Sequence, residues 1–425
     1  MTIVAETNRA IEAVWKIERA RLIGGLTRMV RDVGLAEELA QDALVAAAKD
    51  WPVSGIPDRP AAWLTTTAKR LALNRLRRDR QLERNLKQIG HETEGSEQPD
   101  IDAVLDDPVG DDLLALIFIA CHPILAAEAR VALTLRPVCG LTTPEIARAF
   151  LTSEATIQQR IVRAKRTLAD AGVPFEVPRG EALTERLTSV LSVIYLIFNE
   201  GYAPTSGDNW IRPQMAQEAL RVGRIVAGLA GGEPEVHGLN ALMELQSSRF
   251  AARTGPEGEP VLLLDQNRAR WDQAAIRRGF AALERARNLL GERQAGSYLL
   301  QAELAACHAR ARTSDETDWV RIVQLYDTLT DLTPSPLIEL HRAVAVGFAY
   351  GPAAGLELTD QLAAEPALED YHLLPAIRGD LLAKLGRHDQ AAAEFDRAVA
   401  LTQNVREREV LSRRAAEARG AAVQA

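Results

Sequence analysis

The stretch PAAWLTTTAKRLALNRLRRDR, residues 60–80, gives this chain its most distinctive helix. Proline is tolerated in the first turn of a helix, so Pro60 favours a helix start there. Apolar residues follow at helical spacing, with cations crowded between them. The pattern predicts an amphipathic helix with a dense basic face and an early aromatic residue, Trp63. The apolar positions are Leu64, Ala68, Leu71 and Leu76, and the cations are Lys69, Arg70, Arg75, Arg77, Arg78 and Arg80.

Two interpretations of this basic face stay open on the stretch alone. Cations along a helix can neutralise a line of phosphates, and a nearby tryptophan can stack against an unpaired base. A charged stretch is also common as an ordinary solvated helix face. The segments on both sides favour the first interpretation.

Length and composition predict an all-α protein of several domains. A chain of 425 residues is too long for one hydrophobic core. It is rich in Ala, Leu and Arg and poor in alternating β-branched residues, which favours helices. The net charge of −8 by itself argues against nucleic acid. The charge is segregated, however, because cations exceed acids in residues 1–80 and 113–170, while acids dominate 81–112 and 171–425.

Two more helices are predicted before the basic one. Residues 7–31 carry apolar side chains at helical spacing, and Gly34 breaks that pattern. Residues 35–51 form a second amphipathic pattern, which the Pro and Gly residues at 52–57 are expected to end. Its outward side, called the acidic face below, carries Glu37, Glu38, Gln41 and Asp42.

An acidic helix followed by an aromatic and basic one resembles region 2 of a bacterial RNA polymerase sigma factor. DVGLAEELAQDALVAAAKDW is similar to the segment that binds the polymerase clamp, and RPAAWLTTTAKRLALNRLRRDR to the segment that melts and reads the minus-ten promoter element. The resemblance implies that residues 7–80 form region 2. The implied polymerase contacts are Asp32, Glu37, Glu38, Gln41 and Asp42. The implied minus-ten contacts are Trp63, Lys69, Arg70, Asn74, Arg77 and Arg78.

Residues 81–111 have linker composition. Apolar periodicity is lost, and the segment is polar, acidic and interrupted by Gly and Pro, although its first residues could prolong the basic helix. In sigma factors the corresponding linker threads a basic channel of the polymerase. A solubilising tether and a channel-filling segment therefore both remain open.

Apolar periodicity returns over residues 112–172, which end in two short predicted helices. Thr143 is expected to cap the first, and Thr152 or Ser153 the second. The second helix projects Gln and Arg side chains, which can hydrogen-bond base edges in a major groove. A helical hairpin with a charged outer face is the alternative. Between the two helices, the predicted core residues are Ile146, Ala147, Phe150, Ile157 and Ile161.

This helix-turn-helix resembles sigma region 4, which reads the minus-thirty-five element. Regions 2 and 4 without a region 3 between them resemble an extracytoplasmic-function (ECF) sigma factor. The sequence departs from the family at residues 137–139, an insertion, and at Leu151-Thr152, where most members have Leu-Gly; the second change could alter the turn angle. The implied minus-thirty-five contacts are Ser153, Thr156, Gln158, Gln159, Arg160, Arg163, Lys165 and Arg166.

The chain continues for 255 residues beyond the region 4 resemblance, and this extension is also predicted to be helical. Residues 181–295 form a joining domain, in which an apolar helix ends in Phe198, Asn199, Glu200, Gly201 and Tyr202. Gly201 is expected just past the helix end. Glu200 and Tyr202 could form a ligand or domain-contact site, or a helix cap with a packed tyrosine.

A repeat is predicted over residues 296–420. Helix pairs are expected at 297–310 with 318–331, 336–349 with 353–364, and 370–384 with 388–401. Small residues at helix crossings and the segment AKLGRHDQAAAEFDRAVAL fit the tetratricopeptide (TPR) template. Such helical solenoids usually bind partners in their concave groove.

With this extension the chain resembles the group of ECF sigma factors that carry a long C-terminal TPR-like domain. The resemblance implies core RNA polymerase (clamp and flap regions) and promoter DNA as partners, with a ligand or protein possible on the TPR-like domain. It also implies control of activity by the extension. We expect the repeats to dock on the sigma regions. Their excess of acidic residues could screen the basic DNA-binding face or brace the two regions apart, and the second is favoured because the sequence shows no partner that would release a block.

The remaining sequence features are expected to have structural roles. The cysteines Cys121, Cys139 and Cys307 are far apart and include no CxxC, which favours a reduced, cytoplasmic protein. Two Cys-His pairs could bind metal but suit buried thiols better. We predict no cofactor, no membrane segment and no enzymatic activity. The alternative function is a TPR-containing helix-turn-helix regulator that binds DNA without polymerase; it would need neither the acidic face nor Trp63.

Overall fold

The computed structural model describes residues 3–89, 109–150, 152–204, 210–256 and 259–424. These residues form α-helices, short 3-10 turns and an isolated β-bridge between Thr254 and Pro260, so the predicted all-α class is confirmed. The chain divides into two compact units, Met1–Val193 and Ile194–Ala425. The division falls within one helix, α8.

The first unit contains seven complete helices among the described residues and the start of the eighth. They are α1 (Ile3–Val30), α2 (Val33–Ser54), α3 (Pro60–Ile89), α4 (Val109–Ala120), α5 (Ala127–Leu135), α6 (Thr143–Ala149), α7 (Glu154–Asp170) and α8 (Glu181–Tyr202). The middle of the expected linker, residues 90–108, lies outside the described residues. Its first nine residues continue α3.

Helices α1, α2 and α3 pack together around small and aromatic side chains. Trp51 is fully buried and meets the edge of the Trp63 ring, with ring centroids 5.5 Å apart. Ala68 and Ala72 of α3 are also fully buried, which lets the helices approach closely. Helix α2 passes through Pro52 and ends at Gly55, whose φ of 88° suits glycine. The helix therefore extends three residues beyond the predicted last residue, Trp51, and ends at one of the residues expected to end it.

Helix α4 ties the second group of helices to α1. Arg28 Nε of α1 lies 3.1 Å from Asp112 Oδ1 of α4. A Cβ on Gly24 would lie 2.7 Å from the carbonyl oxygen of Asp112, so glycine is needed for this close approach. The regions predicted at 7–80 and 112–172 therefore share one compact unit.

Side-chain caps start the two helices of the helix-turn-helix. Ser153 Oγ accepts the Thr156 backbone N–H at 3.1 Å, as predicted for α7. Thr142, and not Thr143, caps α6, because its backbone N–H donates to Glu145 Oε2 at 2.7 Å in a capping box. Thr143 is the first helical residue, and its hydroxyl accepts from Arg136.

The second unit comprises the end of α8 and the remaining helices. They are α9 (Pro213–Leu229), α10 (Pro234–Ser247), α11 (Gln273–Leu290), α12 (Ser297–Arg310), α13 (Trp319–Leu332), α14 (Pro336–Ala349), α15 (Pro352–Leu362), α16 (Leu373–Lys384), α17 (His388–Leu401) and α18 (Val405–Gln424). From α12 to α17 the helix pairs match the predicted pairs to within a few residues.

Gly201 lies inside α8 and does not end it, contrary to the sequence-based expectation. A Cβ at this position would lie 2.4 Å from the backbone nitrogen of Ala216 in α9. Glycine is therefore required for helix packing, and Tyr202 completes the helix.

Neither a membrane span nor a metal cluster is found where the structure describes the chain. No described helix combines the length and the apolar character needed to cross a bilayer. The described His, Cys, Asp and Glu residues form no group of three that could hold a metal ion. Cys121 and Cys307 are buried free thiols, and burial raises the pKa of Cys121 to about 11.

Candidate functional site

Helix α3 exposes most of its predicted DNA-contacting residues. Its inward positions Leu64, Ala68 and Ala72 are buried, which fixes the rotation of the helix. The exposed predicted contacts are Arg70, Asn74, Arg77 and Arg78, and the partly buried ones are Trp63 and Lys69. Asp79 accepts from Arg75 at 3.1 Å, so the lone acid of this face neutralises an arginine outside the predicted set.

Helix α2 exposes most, but not all, of its acidic face. Asp32 is the N-cap, and its side chain accepts the Leu35 N–H at 2.9 Å. Glu38, Gln41 and Asp42 are exposed. Glu37 is only 6 % exposed, so its predicted position on a free acidic surface is wrong for this arrangement.

Glu37 is buried because α7 and the end of α5 cover it. Lys165 Nζ of α7 lies 2.5 Å from Glu37 Oε2, and Arg136 Nε lies 4.0 Å from Glu37 Oε1. Arg19 of α1 donates to the Arg136 carbonyl oxygen at 2.5 Å. Burial lowers the pKa of Arg19, an effect that the Glu37 charge opposes. We call this cluster the α2–α7 contact.

A cleft continues the α2–α7 contact and places predicted polymerase-binding and DNA-binding residues side by side. Glu38 and Gln41 line it from α2, and Gln158 and Val162 from α7. Regions predicted to be braced apart therefore touch in the described arrangement, through residues predicted to bind polymerase and DNA.

The predicted residues of α7 fall on two sides of the helix. Ile157, Ile161, Ala164 and Leu168 point inward. Gln158 and Lys165, two turns apart, lie on the side that meets α2. Because of the helical period, the rest share the opposite side. They are Thr156, Gln159, Arg160, Arg163 and Arg166, of which Gln159, Arg163 and Arg166 are exposed and Thr156 and Arg160 partly buried. The departure at Leu151 lies outside the described residues.

The residues Phe198–Tyr202 are packed within the second unit. Glu200 is buried and forms an ion pair with Arg212. Tyr202 stacks on Phe198, and the Arg253 guanidinium lies 3.8 Å from its ring centroid. Phe198 is fully buried and Asn199 partly buried. Of the alternatives from the sequence, this arrangement matches the packed tyrosine, although without a helix cap.

Sequence inspection missed Arg19 and Arg136 as parts of the site. Both lie on helices with unremarkable local patterns, and their partner Glu37 is distant in the chain. A buried carboxylate needs a cation, but the sequence gives no sign that Glu37 is buried.

Three family models match this chain in order. Sigma-70 region 2 matches residues 16–81, Sigma-70 region 4 matches residues 115–168, and a family of unknown function (DUF6596) matches residues 186–287. The third match makes the first part of the extension a DUF6596 domain.

Similar proteins cover most of the chain or a little over a third of it. An uncharacterized protein of Rhizobium meliloti is 40% identical over 390 residues, covering 92% of this chain and 91% of that protein. The probable ECF RNA polymerase sigma factor SigI of Mycobacterium tuberculosis is 29% identical over 172 residues, covering 39% of this chain and 57% of that protein.

A third relative is similar to this chain over most of that relative's length. The ECF RNA polymerase sigma factor SigK of a Mycobacterium species is 30% identical over 156 residues, which is 36% of this chain and 77% of that protein. With sigma regions 2 and 4 present in order and a C-terminal helical extension after them, the chain belongs to the ECF sigma factors.

Proposed function

We propose that this sigma factor binds core RNA polymerase and directs initiation at a particular class of promoter. The observation that carries the proposal is the separation of charge within its first unit: α2 exposes acids, whereas α3 exposes cations. An acidic surface suits a basic protein partner, and a basic helix suits DNA phosphates. One chain can thus hold polymerase and promoter at once.

Polymerase binding is assigned to the acidic face of α2 with Asp32, and its partner is the clamp. Glu38, Gln41 and Asp42 are accessible for this contact. Region 4 is assigned to the flap. Glu37 joins the clamp surface only when Lys165 leaves it.

Promoter opening is assigned to α3. Arg70, Arg77 and Arg78 neutralise phosphates of the minus-ten element, with Lys69 beside them and Asn74 in position for a base edge. Trp63, packed edge-on against the buried Trp51, provides an aromatic surface for an unstacked base.

Recognition of the minus-thirty-five element is assigned to α7. Gln159, Arg160 and Arg163, with Thr156, form the base-reading side of a helix capped by Ser153. Arg166 suits phosphate. Lys165 contributes only after the α2–α7 contact has opened, because it is paired with Glu37 there, whereas Gln158 lines the adjoining cleft and is exposed.

The extension is proposed to control activity. The α2–α7 contact covers part of the predicted polymerase surface, so the free chain needs a step that separates α2 from α7. A TPR-like array that binds a ligand or protein can bias such a step. Catalysis is left to the polymerase.

A charge reversal on α2 tests the proposal. Glu38→Lys with Asp42→Lys should weaken core polymerase binding by about tenfold or more, since two attractive contacts become repulsive. Asp50→Lys, an exposed acid further along α2, is the matched control. Affinity is measured with purified core polymerase, and circular dichroism checks folding.

The same experiment separates the alternative function. If wild-type protein binds promoter DNA but not core polymerase, the chain acts as a TPR-containing helix-turn-helix regulator. If the double variant and the wild type had equal affinity for core polymerase, the assignment of polymerase binding to α2 would be wrong.

A further inference from the structure

The second unit contains a cavity of about 220 Å³ lined by three alternate helices, α14, α16 and α18. The lining positions of α16 recur every three or four residues, from Leu373 through Ile377 and Leu381 to Lys384. A whole face of α16 therefore forms the floor of the cavity. Trp210 and Leu262, from segments outside the repeats, contribute to the wall.

The middle of the cavity is apolar. Val344 and Phe348 line it from α14, Ala376 and Ile377 from α16, and Val410 and Leu411 from α18. The Phe348 ring is held in place by stacking on Trp319, with centroids 4.3 Å apart. An apolar wall of this kind favours a ligand with a hydrocarbon or aromatic body.

One end of the cavity has an excess of positive charge. Asp380 Oδ2 lies 2.9 Å from Lys384 Nζ, and Asp380 Oδ1 lies 2.5 Å from Arg414 Nη2. A single carboxylate is thus shared by two cations. Lys384 Nζ also sits 4.0 Å from the centroid of the Phe348 ring, beside the apolar wall.

The other end carries a carboxylate, that of Glu407. Glu407 Oε2 accepts from the Thr402 hydroxyl at 2.7 Å and lies 2.9 Å from His372 Nε2. Burial opposes ionisation of Glu407, but these two partners and the Arg253 charge keep its pKa below the usual range. Glu407 and Arg414 lie about 10 Å apart along α18, two turns of helix.

We propose that this cavity binds a small amphipathic organic anion, an aliphatic or aromatic body carrying one carboxylate or sulfonate. The anionic group binds Lys384 and Arg414, the body lies on Phe348, Ile377 and Leu411, and the Glu407 end repels a reversed orientation. The inference gives a ligand class to the control proposed for the extension. Binding is measured directly, so it stands or fails separately from promoter activity.

Two pairs of probes test the charge requirement on the full chain. 8-Anilinonaphthalene-1-sulfonate should bind with one saturable site, and its neutral analogue N-phenyl-1-naphthylamine more weakly. Octanoate should displace the bound sulfonate probe, whereas octylamine, with the same chain and the opposite charge, should not. Displacement by both competitors alike, or probe binding without saturation, would overturn the proposal.

Variants locate the site. Lys384→Met or Arg414→Met should lower the affinity for the sulfonate probe by about tenfold, the effect of one lost charge-assisted contact. The affinity for the neutral probe should not change. Arg419→Met is the matched control, because Arg419 pairs with Asp396 and both are more than half exposed. Ile377→Trp should exclude both probes by filling the cavity. Unchanged affinity of the sulfonate probe in both Met variants contradicts the assignment, and this result holds even if Ile377→Trp does not fold.

Discussion

Glu37 forms the ion pair that joins α2 to α7 in the first unit. Its carboxylate is almost fully buried and is paired with Lys165, 128 residues along the chain. Removing one partner of a buried ion pair leaves an uncompensated charge, which favours any arrangement that exposes it. The pair therefore holds α2 and α7 together only while both partners are present.

Lys165→Met should raise the affinity for core polymerase several-fold in the absence of DNA, because the α2–α7 contact opens and Glu37 joins the exposed residues of the acidic face. Arg166→Met is the matched control: Arg166 is the next cation of α7, its side chain is 82% exposed, and it pairs only locally with Asp170. Affinity is measured by titrating labelled sigma factor with core polymerase. Equal affinities for the two variants would show that the contact does not limit binding.

His308 makes the stability of the second unit depend on pH. It meets the Trp319 ring edge-on, and burial together with the charges of Arg249 and Arg268 lowers its pKa to about 3. The folded chain keeps His308 neutral, whereas the unfolded chain protonates it with a pKa near 6.5. The unfolded state thus gains protons first, and stability falls as pH drops from about 6.5 towards 3.

Replacing this histidine should flatten that dependence. His308→Phe keeps an aromatic ring beside Trp319 but cannot be protonated. Its free energy of unfolding in urea should decline less than that of the wild type between pH 7 and pH 5. If the free energy of unfolding declined equally in the variant and the wild type, His308 would be neutral in both the folded and unfolded states or protonated in both.

At the scale of elements, Gly201 shows how tightly α8 packs on α9. Gly201→Ala should destabilise the chain by about 1–3 kcal/mol, since its Cβ would meet the Ala216 backbone at 2.4 Å. Gly228→Ala is the control, because no atom lies within 4 Å of its Cβ, and it should stabilise α9 by about 0.5–1 kcal/mol. Thermal unfolding gives both values. If neither variant were less stable than the wild type, the close packing of α8 on α9 would be contradicted.

The helices of the repeats were predictable from sequence, because each buries an apolar stripe that shows as helical spacing of apolar residues within its own segment. The predicted pair 297–310 with 318–331 and the observed α12 and α13 differ by one residue at most at each end. The role of Gly201 in α8 was not predictable, since glycine terminates helices and also permits close crossings, and only the presence of Ala216 decides between the two.

The exposure of the predicted α3 residues could be read from the sequence, but the burial of Glu37 could not. Helical period alone places Arg70, Arg77 and Arg78 on the outer face of α3, and they are exposed. The burial of Glu37 depends on Lys165 and Arg136, which no local pattern connects to α2. Long-range pairing of this kind exists only in the folded chain.

At the scale of the whole molecule, the boundary between the two units is later than the sequence suggested. The joining domain is predicted from residue 181, yet the first compact unit continues to Val193. Ser189 Oγ in α8 donates to the Cys121 carbonyl oxygen at 2.6 Å, and Arg186 donates to that of Phe118 at 3.1 Å. A sigma fragment without this part of α8 would leave these carbonyls uncovered.

Two truncations separate stability from control. A 1–203 fragment should unfold at a higher temperature than a 1–180 fragment, because it keeps the α8 hydrogen bonds. The 1–203 fragment should still bind core polymerase but should lose run-off transcription relative to the full chain, since the extension is absent. Full transcription by 1–203 would show that the extension does not control activity.

The α2–α7 contact also links the two ligands of the sigma factor thermodynamically. If α2 binds polymerase and α7 binds promoter DNA as proposed, Lys165 cannot neutralise a DNA phosphate while it neutralises Glu37, and both partners should bind best to the open form. Whichever binds first bears the cost of opening, and the second binds more tightly by the same factor in either order. If the closed form outnumbers the open form by about 100 to 1, that cooperativity reaches about 100-fold. Free sigma factor would then bind promoters poorly, and the contact would restrict promoter recognition to the holoenzyme.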